Sequence, residues 1–256
     1  MRIVVISDIH GNCVALDAVL RDLQGQAADQ IVCLGDAVQG GPQPAQVVGQ
    51  LRALRCPVVL GNADAWLLSG AETGAEAISS ERLRAMHDVR AWALAQLSAE
   101  DQAFIAAFPR IIELDLGEGG TLLAYHGSPQ SFDDIILPDT PQEQLAAFLQ
   151  GHTADLYCGG HTHVQFVRRI GPGPQIHFNP GSVGLAYSHH QPEEDFRADR
   201  WAEYAVLTVD GGRVQLEFRR VPYDVAPLLD AYARSGRPHA SSAIAQYQRP
   251  LETHQR

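Results

Sequence analysis

Short runs of mostly β-branched apolar residues alternate with helical segments at the start of the chain. The runs are RIVVIS (2–7), QIVCL (30–34) and PVVL (57–60). Between them, apolar residues recur every three or four positions over 12–23 and 43–54, which is the spacing of an amphipathic helix. Runs that are apolar at every position are typical of strands buried on both faces. This β-α-β-α-β order predicts a parallel sheet with helices on its faces.

The pattern changes after residue 64. Residues 65–108 lack strand signals and are rich in Ala, Glu, Arg and Leu, so we expect a helical cap insertion with helices over 80–97 and 98–108. Ser98 is the expected N-cap of the second helix. Three hairpin signals follow, namely GEGG (117–120), GPGP (171–174) and DGG (210–212). The second half therefore predicts a mixed sheet or a two-sheet sandwich.

The domain organisation that we expect is simple. Residues 1–234 form one domain that includes the cap insertion and ends in a helix over 225–233. Residues 235–256 are polar with weak periodicity and are interpreted as a C-terminal tail.

Composition excludes several classes of function. The formal net charge is −11, which argues against a stable nucleic-acid complex or binding to an anionic membrane. No apolar stretch approaches the roughly 18 residues of a membrane helix, so we expect no membrane partner. The four cysteines form no CxxC pair, which argues against a structural zinc site. We expect a cytoplasmic protein with reduced thiols.

Asp, Asn or His follows five of the apolar runs, usually beside a glycine. These residues are Asp8, His10, Asp36, Asn62, His126, His161 and His163. Any one of them alone would be an ordinary turn residue. In open α/β sheets, however, ligands bind beyond the carboxyl ends of the strands, where residues distant in sequence meet. We therefore expect the seven side chains to converge on one edge.

The chemistry of this set indicates metal binding. Three carboxylate or amide side chains and four imidazoles suit Mn, Fe, Zn, Ni or Co better than Ca or a dedicated Mg site. Seven ligands are too many for one ion of ordinary coordination number. They suit two ions that share a bridging carboxylate.

The order and spacing of these segments resemble the calcineurin-like metallophosphoesterase superfamily. The matching segments are SDIHGN (7–12), LGDAVQGGP (34–42), LGNADAW (60–66), YHGS (125–128), GGHTH (159–163) and FNPGSVG (178–184). The last of these is similar to its small prokaryotic, YfcE-like phosphodiesterase branch. The resemblance implies an α/β fold, a four-layer α/β/β/α sandwich with the helical cap, and two divalent metal ions. We expect manganese first, with nickel, cobalt, iron, zinc and magnesium as alternatives.

The resemblance also implies a role for each ligand-type residue. The first metal would be held by Asp8, His10 and His163, the second by Asn62, His126 and His161, and both by Asp36. The implied catalytic residues are Asp36, Asn62 and His126, and the implied substrate contacts are Asn12 and His10.

One position departs from the family pattern, which has a histidine after the asparagine of LGN. This chain has Ala63 there, and a methyl group can neither stabilise charge nor protonate a leaving oxygen. General acid catalysis contributes about 10²–10⁴-fold to a rate, so the change favours phosphodiesters and activated leaving groups. Asp64, which would orient that histidine, is expected to cap the following helix or to steer a water. Candidate replacements for the histidine are His177, His189 and His190.

The function that the sequence predicts is a binuclear metal-dependent phosphodiesterase that uses a metal-bridging hydroxide. Its expected partner is a small phosphoester substrate, with nucleotides among the candidates. Whether the chain forms a homo-oligomer is left open by the sequence. One alternative is a phosphomonoesterase or dinucleoside-polyphosphate hydrolase. Another is a non-catalytic scaffold that binds metal.

Overall fold

The computed structural model describes residues 1–71, 79–192 and 195–248. Within them the strands are β1 (Arg2–Ile6), β2 (Gln30–Cys33), β3 (Ile111–Asp115), β4 (Thr121–Tyr125), β5 (Leu156–Cys158), β6 (Phe166–Arg169), β7 (Ile176–Asn179), β8 (Trp201–Asp210) and β9 (Arg213–Pro222). The helices are α1 (Cys13–Asp22), α2 (Pro44–Leu54), α3 (Asn62–Ser69), α4 (Ser80–Gln96), α5 (Ala99–Ala106), α6 (Gln142–Phe148), α7 (Ala226–Arg234) and α8 (Ala240–Gln248).

The strands form two mixed sheets. The first has the order β2-β1-β8-β9, in which β1 runs parallel to β2 and antiparallel to β8. The second has the order β3-β4-β5-β7-β6, with a parallel centre flanked by two antiparallel hairpins. All three hairpin signals of the sequence are confirmed by the pairs β3–β4, β6–β7 and β8–β9.

The unbroken apolar run of β1 reflects burial on both faces. Ile3 and Val5 pack with Leu122 and Phe178 of the second sheet, in the core between the two sheets. Val4 and Ile6 point the other way, into the core that includes residues of α1 and α2. Burying one such side chain stabilises the fold by about 1.5–3 kcal/mol. With α6 on the outer face of the second sheet, the four-layer α/β/β/α sandwich is confirmed.

The prediction of a full strand over 57–60 is wrong. Only Val58 bridges to Cys33, with the Val59 N–H donating to the Cys33 carbonyl at 2.8 Å. Pro57 has no N–H to extend the ladder. The next N–H, that of Leu60, donates to the carbonyl of Pro109 instead. The segment then enters α3 directly.

The cap and the C-terminal segment contain further helices. The helices predicted over 80–97 and 98–108 correspond to α4 and α5, and Ser98 caps α5 in a capping box with Asp101. Residues 72–78 of the expected cap lie outside the described residues. Within the expected tail, α8 packs against α7 through Tyr247 and Tyr232. In the described part of the chain, no helix is long and apolar enough to cross a membrane.

Candidate metal centre

The ligand-type residues come from strand ends of both sheets. Asp8 and His10 follow β1, and Asp36 follows β2, in the first sheet. His126 follows β4, and His161 and His163 follow β5, in the second. Asn62 is the first residue of α3. The predicted convergence of these side chains is therefore a consequence of the two sheets ending at one common edge.

Five of these seven residues have left-handed backbones. Their φ values are 55° at Asp8, 47° at His10, 49° at Asp36, 66° at His161 and 56° at His163. A non-glycine residue in this region costs about 1–2 kcal/mol, and such strain is concentrated at functional sites. Backbone hydrogen bonds between the loops hold it in place, for example from the His10 N–H to the Asp36 carbonyl at 2.9 Å.

The first donor group consists of Asp8, His10 and His163. Its ligand atoms all lie within 4.8 Å of one another. The Nε2 atoms of the two histidines are 3.1 Å apart, and that of His163 is 3.3 Å from Asp8 Oδ1. The Nδ1 atoms face the carbonyls of Gln39 at 2.9 Å and Leu185 at 2.7 Å. Donation from Nδ1 to these carbonyls leaves both Nε2 lone pairs free for a metal.

The second donor group consists of Asp36, His126 and His161. Its ligand atoms also lie within 4.8 Å of one another. Asn62 joins it, because its Oδ1 lies 2.9 Å from His126 Nε2. The Nδ1 of His126 faces the carbonyl of Leu34 at 2.8 Å, so its Nε2 points into the group. Burial opposes protonation of His126, but the neighbouring Asp36 carboxylate outweighs it and raises the pKa of His126 to about 10. The negative charge of Asp36 that raises this pKa also attracts a metal cation, which binds the imidazole only in its deprotonated form.

Asp36 lies between the two groups. Its Oδ1 is 3.4 Å from His126 Nε2, and its Oδ2 is 3.8 Å from His10 Nε2. Burial opposes ionisation of this carboxyl, but the positive charge of His126 lowers the pKa of Asp36 below its usual range. One ionised carboxylate therefore faces both donor groups.

An orphaned oxygen tests whether the residues fit a metal. Asp8 Oδ1 is buried and has no hydrogen-bond partner among the described residues. A buried carboxylate oxygen without a hydrogen-bond donor lowers the stability of the fold. Nitrogen lone pairs that face each other, such as those of His10 and His163, lower it as well. A divalent cation removes both costs. The residues present therefore fit metal ions at this edge.

Close backbone approach makes Gly61 part of the centre. Its φ of −87° is open to any residue. A Cβ on Gly61, however, would lie 2.1 Å from Asp36 Oδ1. The glycine after the apolar run 57–60 therefore leaves the space that the carboxylate occupies.

The helix-cap role expected for Asp64 is wrong. The N-cap of α3 is Gly61, without a side-chain cap, and Asp64 lies in the first turn of the helix. Its carboxylate is fully buried and accepts hydrogen bonds from the N–H groups of Ala37 and Val38 at 3.1 Å. Burial, and then the charge of Asp36, raise the pKa of Asp64 to about 7. Asp64 thus fixes the loop that presents Asp36.

Asn12 is engaged within the protein. Its Oδ1 accepts a hydrogen bond from the N–H of Ala15 at 3.0 Å and so caps α1. Its amide donates to the Gly184 carbonyl at 2.9 Å and to the Tyr223 hydroxyl at 3.2 Å. Its contact with a substrate stays a prediction.

The histidines suggested as replacements at position 63 lie elsewhere. His177 is buried between the rings of Tyr125 and Phe166. His189 bonds through Nε2 to the Thr162 carbonyl at 2.6 Å, and His190 is exposed. The sequence reasoning missed Tyr187, whose ring contacts His163. Its signal was its position, three residues after the glycine that ends FNPGSVG.

The chain belongs to the calcineurin-like phosphoesterase superfamily, because residues 1–212 match the model of the calcineurin-like phosphoesterase superfamily domain. This confirms the resemblance drawn from the sequence. Membership of a metallophosphoesterase family and the two donor groups together indicate divalent metal ions as cofactors.

Similar proteins span nearly the whole chain. Protein MJ0912 of Methanocaldococcus jannaschii is 29% identical over 238 residues, which are 87% of this chain and 88% of that protein. The crystal structure of a metallophosphoesterase from Sphaerobacter thermophilus is 26% identical with a TM-score of 0.71, and covers 96% of this chain and 98% of its own. The structure of protein PH1004 from Pyrococcus horikoshii is 20% identical with a TM-score of 0.76. It covers 98% of this chain and 99% of its own, and it has the same fold.

Proposed function

We propose that the chain is a binuclear metal-dependent phosphodiesterase. The observation that supports this most is the Asp36 carboxylate, which has one oxygen toward His126 and the other toward His10. A carboxylate in this position suits two ions at the 3.5–4 Å separation that is usual, in rough terms, for two-metal hydrolases. The ligand roles implied by the family pattern are part of this proposal.

The chain's own residues supply binding and orientation. His10, His126 and His163 present Nε2 because backbone carbonyls hold their Nδ1 atoms. The bound ions would supply Lewis acidity and an activated water. His161, half-buried at the rim, and Asn62, half-buried at the start of α3, leave an approach for the phosphoryl group.

The preference for diesters rests on residue 63. The Ala63 N–H donates to Asp36 Oδ1 at 2.8 Å, while its side chain offers no proton donor. The Nε2 of His189 is bonded to the Thr162 carbonyl. A leaving group that needs protonation would therefore depart slowly, whereas an activated ester or diester is less affected. We propose manganese as the first metal to test, because the set mixes oxygen and nitrogen ligands.

A paired-substrate assay tests this function. Hydrolysis of bis-p-nitrophenyl phosphate and of p-nitrophenyl phosphate is measured with Mn, Ni, Co, Mg and Zn, alongside metal content. We expect manganese-dependent cleavage with the diester faster. Asp36→Asn and His126→Ala should lose about 10²-fold or more in kcat. His190→Ala, an exposed residue outside both groups, is the matched control.

Two outcomes contradict the proposal. Faster turnover of the monoester would favour a phosphomonoesterase. No hydrolysis with any of the metals, at full occupancy of both groups, would favour a metal-binding scaffold.

A further inference from the structure

Tyr187 lies against the first donor group. Its ring meets that of His163 edge-on, with the ring centroids 5.5 Å apart. The other sides of the ring are covered by His189, stacked at 4.5 Å, and by Phe196 at 4.9 Å. Aromatic contacts at these distances are favourable, so the three neighbouring rings stabilise the position of the Tyr187 ring.

Hydrogen bonds tie the backbone around Tyr187 to the ligand loop. His163 Nδ1 donates to the carbonyl of Leu185 at 2.7 Å. His189 Nε2 donates to the carbonyl of Thr162, the residue between the two histidines of GGHTH, at 2.6 Å. The carbonyl of Ala186 accepts the N–H of Asp199 at 2.8 Å. These hydrogen bonds hold the chain on both sides of Tyr187 and connect it to His163 and Thr162.

The hydroxyl of Tyr187 has no protein partner. Within residues 1–71, 79–192 and 195–248, no hydrogen bond to it is formed, although its side chain is half-buried. The hydroxyls of Tyr157, Tyr204 and Tyr247 bond to protein groups, whereas that of Tyr125 is buried in the core, closed to solvent and without a partner among the described residues. A buried or half-buried tyrosine hydroxyl normally finds a partner. What distinguishes the Tyr187 hydroxyl is its place: it belongs to a ring that contacts the candidate metal ligand His163, and no described protein group bonds to it, so it is available to a ligand.

We propose that Tyr187 contacts the substrate, with its hydroxyl donating a hydrogen bond to a non-bridging phosphoryl oxygen bound at the Asp8–His10–His163 group. The proposal rests on the proposed function. No proton is transferred, because the donor acts as a neutral phenol. The contact supplies a donor at a centre where Ala63 provides no side-chain donor.

Inorganic phosphate is the probe for this contact. A hydrogen bond to a charged oxygen changes affinity by about tenfold or more. We expect Tyr187→Phe, which keeps the ring and loses the hydroxyl, to raise the dissociation constant of phosphate about tenfold by calorimetry on the metal-loaded protein. Metal content and thermal unfolding should match the wild type. The kcat/KM for both nitrophenyl esters should fall by a similar factor.

Two further variants separate a substrate contact from packing. Tyr204→Phe removes a hydroxyl that donates to Asp22, at the far end of α1, and should leave phosphate affinity unchanged. Tyr187→Leu removes the ring as well. If Tyr187→Phe binds phosphate as the wild type does while Tyr187→Leu is impaired, the ring only packs on His163 and the proposal is overturned.

Phosphate binding also distinguishes this proposal from the proposed function. A wild type that hydrolyses no ester, but loses phosphate affinity on Tyr187→Phe, would contradict the phosphodiesterase and support the contact. If the wild type hydrolyses diesters and Tyr187→Phe binds phosphate equally well, the phosphodiesterase is supported and the Tyr187 contact is contradicted.

Discussion

The backbone N–H of Ala63 donates a hydrogen bond to Asp36 Oδ1 at 2.8 Å. Residue 63 lacks the histidine side chain of the family pattern, but its backbone still holds the Asp36 carboxylate, which faces both donor groups. The backbone and the side chain of residue 63 have separable roles. Every residue other than proline has the N–H that makes this hydrogen bond, so the side chain at position 63 can be changed separately.

Ala63→His restores the imidazole of the family pattern. We expect turnover of an unactivated monoester, phenyl phosphate, to rise by about 10²-fold, because a general acid contributes about 10²–10⁴-fold to steps whose leaving oxygen needs a proton. Turnover of the activated diester should change little. The measurement is the ratio of the two kcat values, with metal content as the control. An unchanged ratio would mean that another group already protonates the leaving oxygen.

Gly61→Ala should disrupt the centre by steric clash. The added Cβ would lie 2.1 Å from Asp36 Oδ1, so the carboxylate must move. We expect bound metal to fall below two ions per chain by elemental analysis. The matched control is Gly49→Ala in α2, where a Cβ meets nothing within 4 Å. That change should stabilise the fold by about 0.5–1 kcal/mol and leave the metal content unchanged.

Asp64→Ala removes the acceptor of two buried N–H groups, those of Ala37 and Val38. We expect the free energy of unfolding of the metal-free protein to fall by about 1–3 kcal/mol in urea titrations. Asp64→Asn should cost less, because a single amide oxygen can replace Oδ1, which accepts from both groups. Equal losses in the two variants would show that the charge of Asp64 matters, and not the acceptor.

His177 should make stability depend on pH. Burial lowers the pKa of His177 to about 3, and neither ring nitrogen has a hydrogen-bond partner in the described part of the chain. The folded protein keeps this imidazole neutral, while the unfolded chain protonates it near pH 6.5. Its full contribution is therefore present above pH 6.5 and is lost as the pH falls toward 3.

A phenylalanine in place of His177 would fill the same position between Tyr125 and Phe166 without titrating. Between pH 7 and 5, the wild type should lose about 2 kcal/mol more unfolding free energy than His177→Phe. Chemical denaturation of both metal-free proteins at the two pH values measures this difference. Because the other histidines titrate in both, a pH dependence equal in the two would contradict the prediction.

The strand ends of the candidate site could be predicted because the signal is local. Each ligand-type residue follows a run of apolar residues, and parallel strands bring such ends to one edge within each sheet. The convergence of Asp8 with His163, 155 positions later, also requires that the two sheets end at one common edge. The hairpins had equally local turn signals.

Other features depend on tertiary contacts that leave no local pattern. PVVL has the composition of a strand, but Pro57 and the bond from Leu60 to Pro109 limit it to one bridge. Residues 235–256, which include α8, are polar overall with weak periodicity, and Tyr247 is buried by tertiary contacts with α7 and with Ala198. Asp64 resembled a helix cap because the N–H groups that it binds belong to a loop 26 residues earlier.

The pairing of β1 with β8 constrains the order of events during synthesis on the ribosome. The strand that precedes Asp8 and His10 is made well before one of its two neighbours, which comes from residues 201–210. Contacts so distant in sequence form late, because a long loop must close before they contribute. Until then β1 exposes an unpaired strand edge and apolar side chains, and the nascent chain is a candidate for chaperone binding. All seven ligand-type residues are made before the strand that covers this edge.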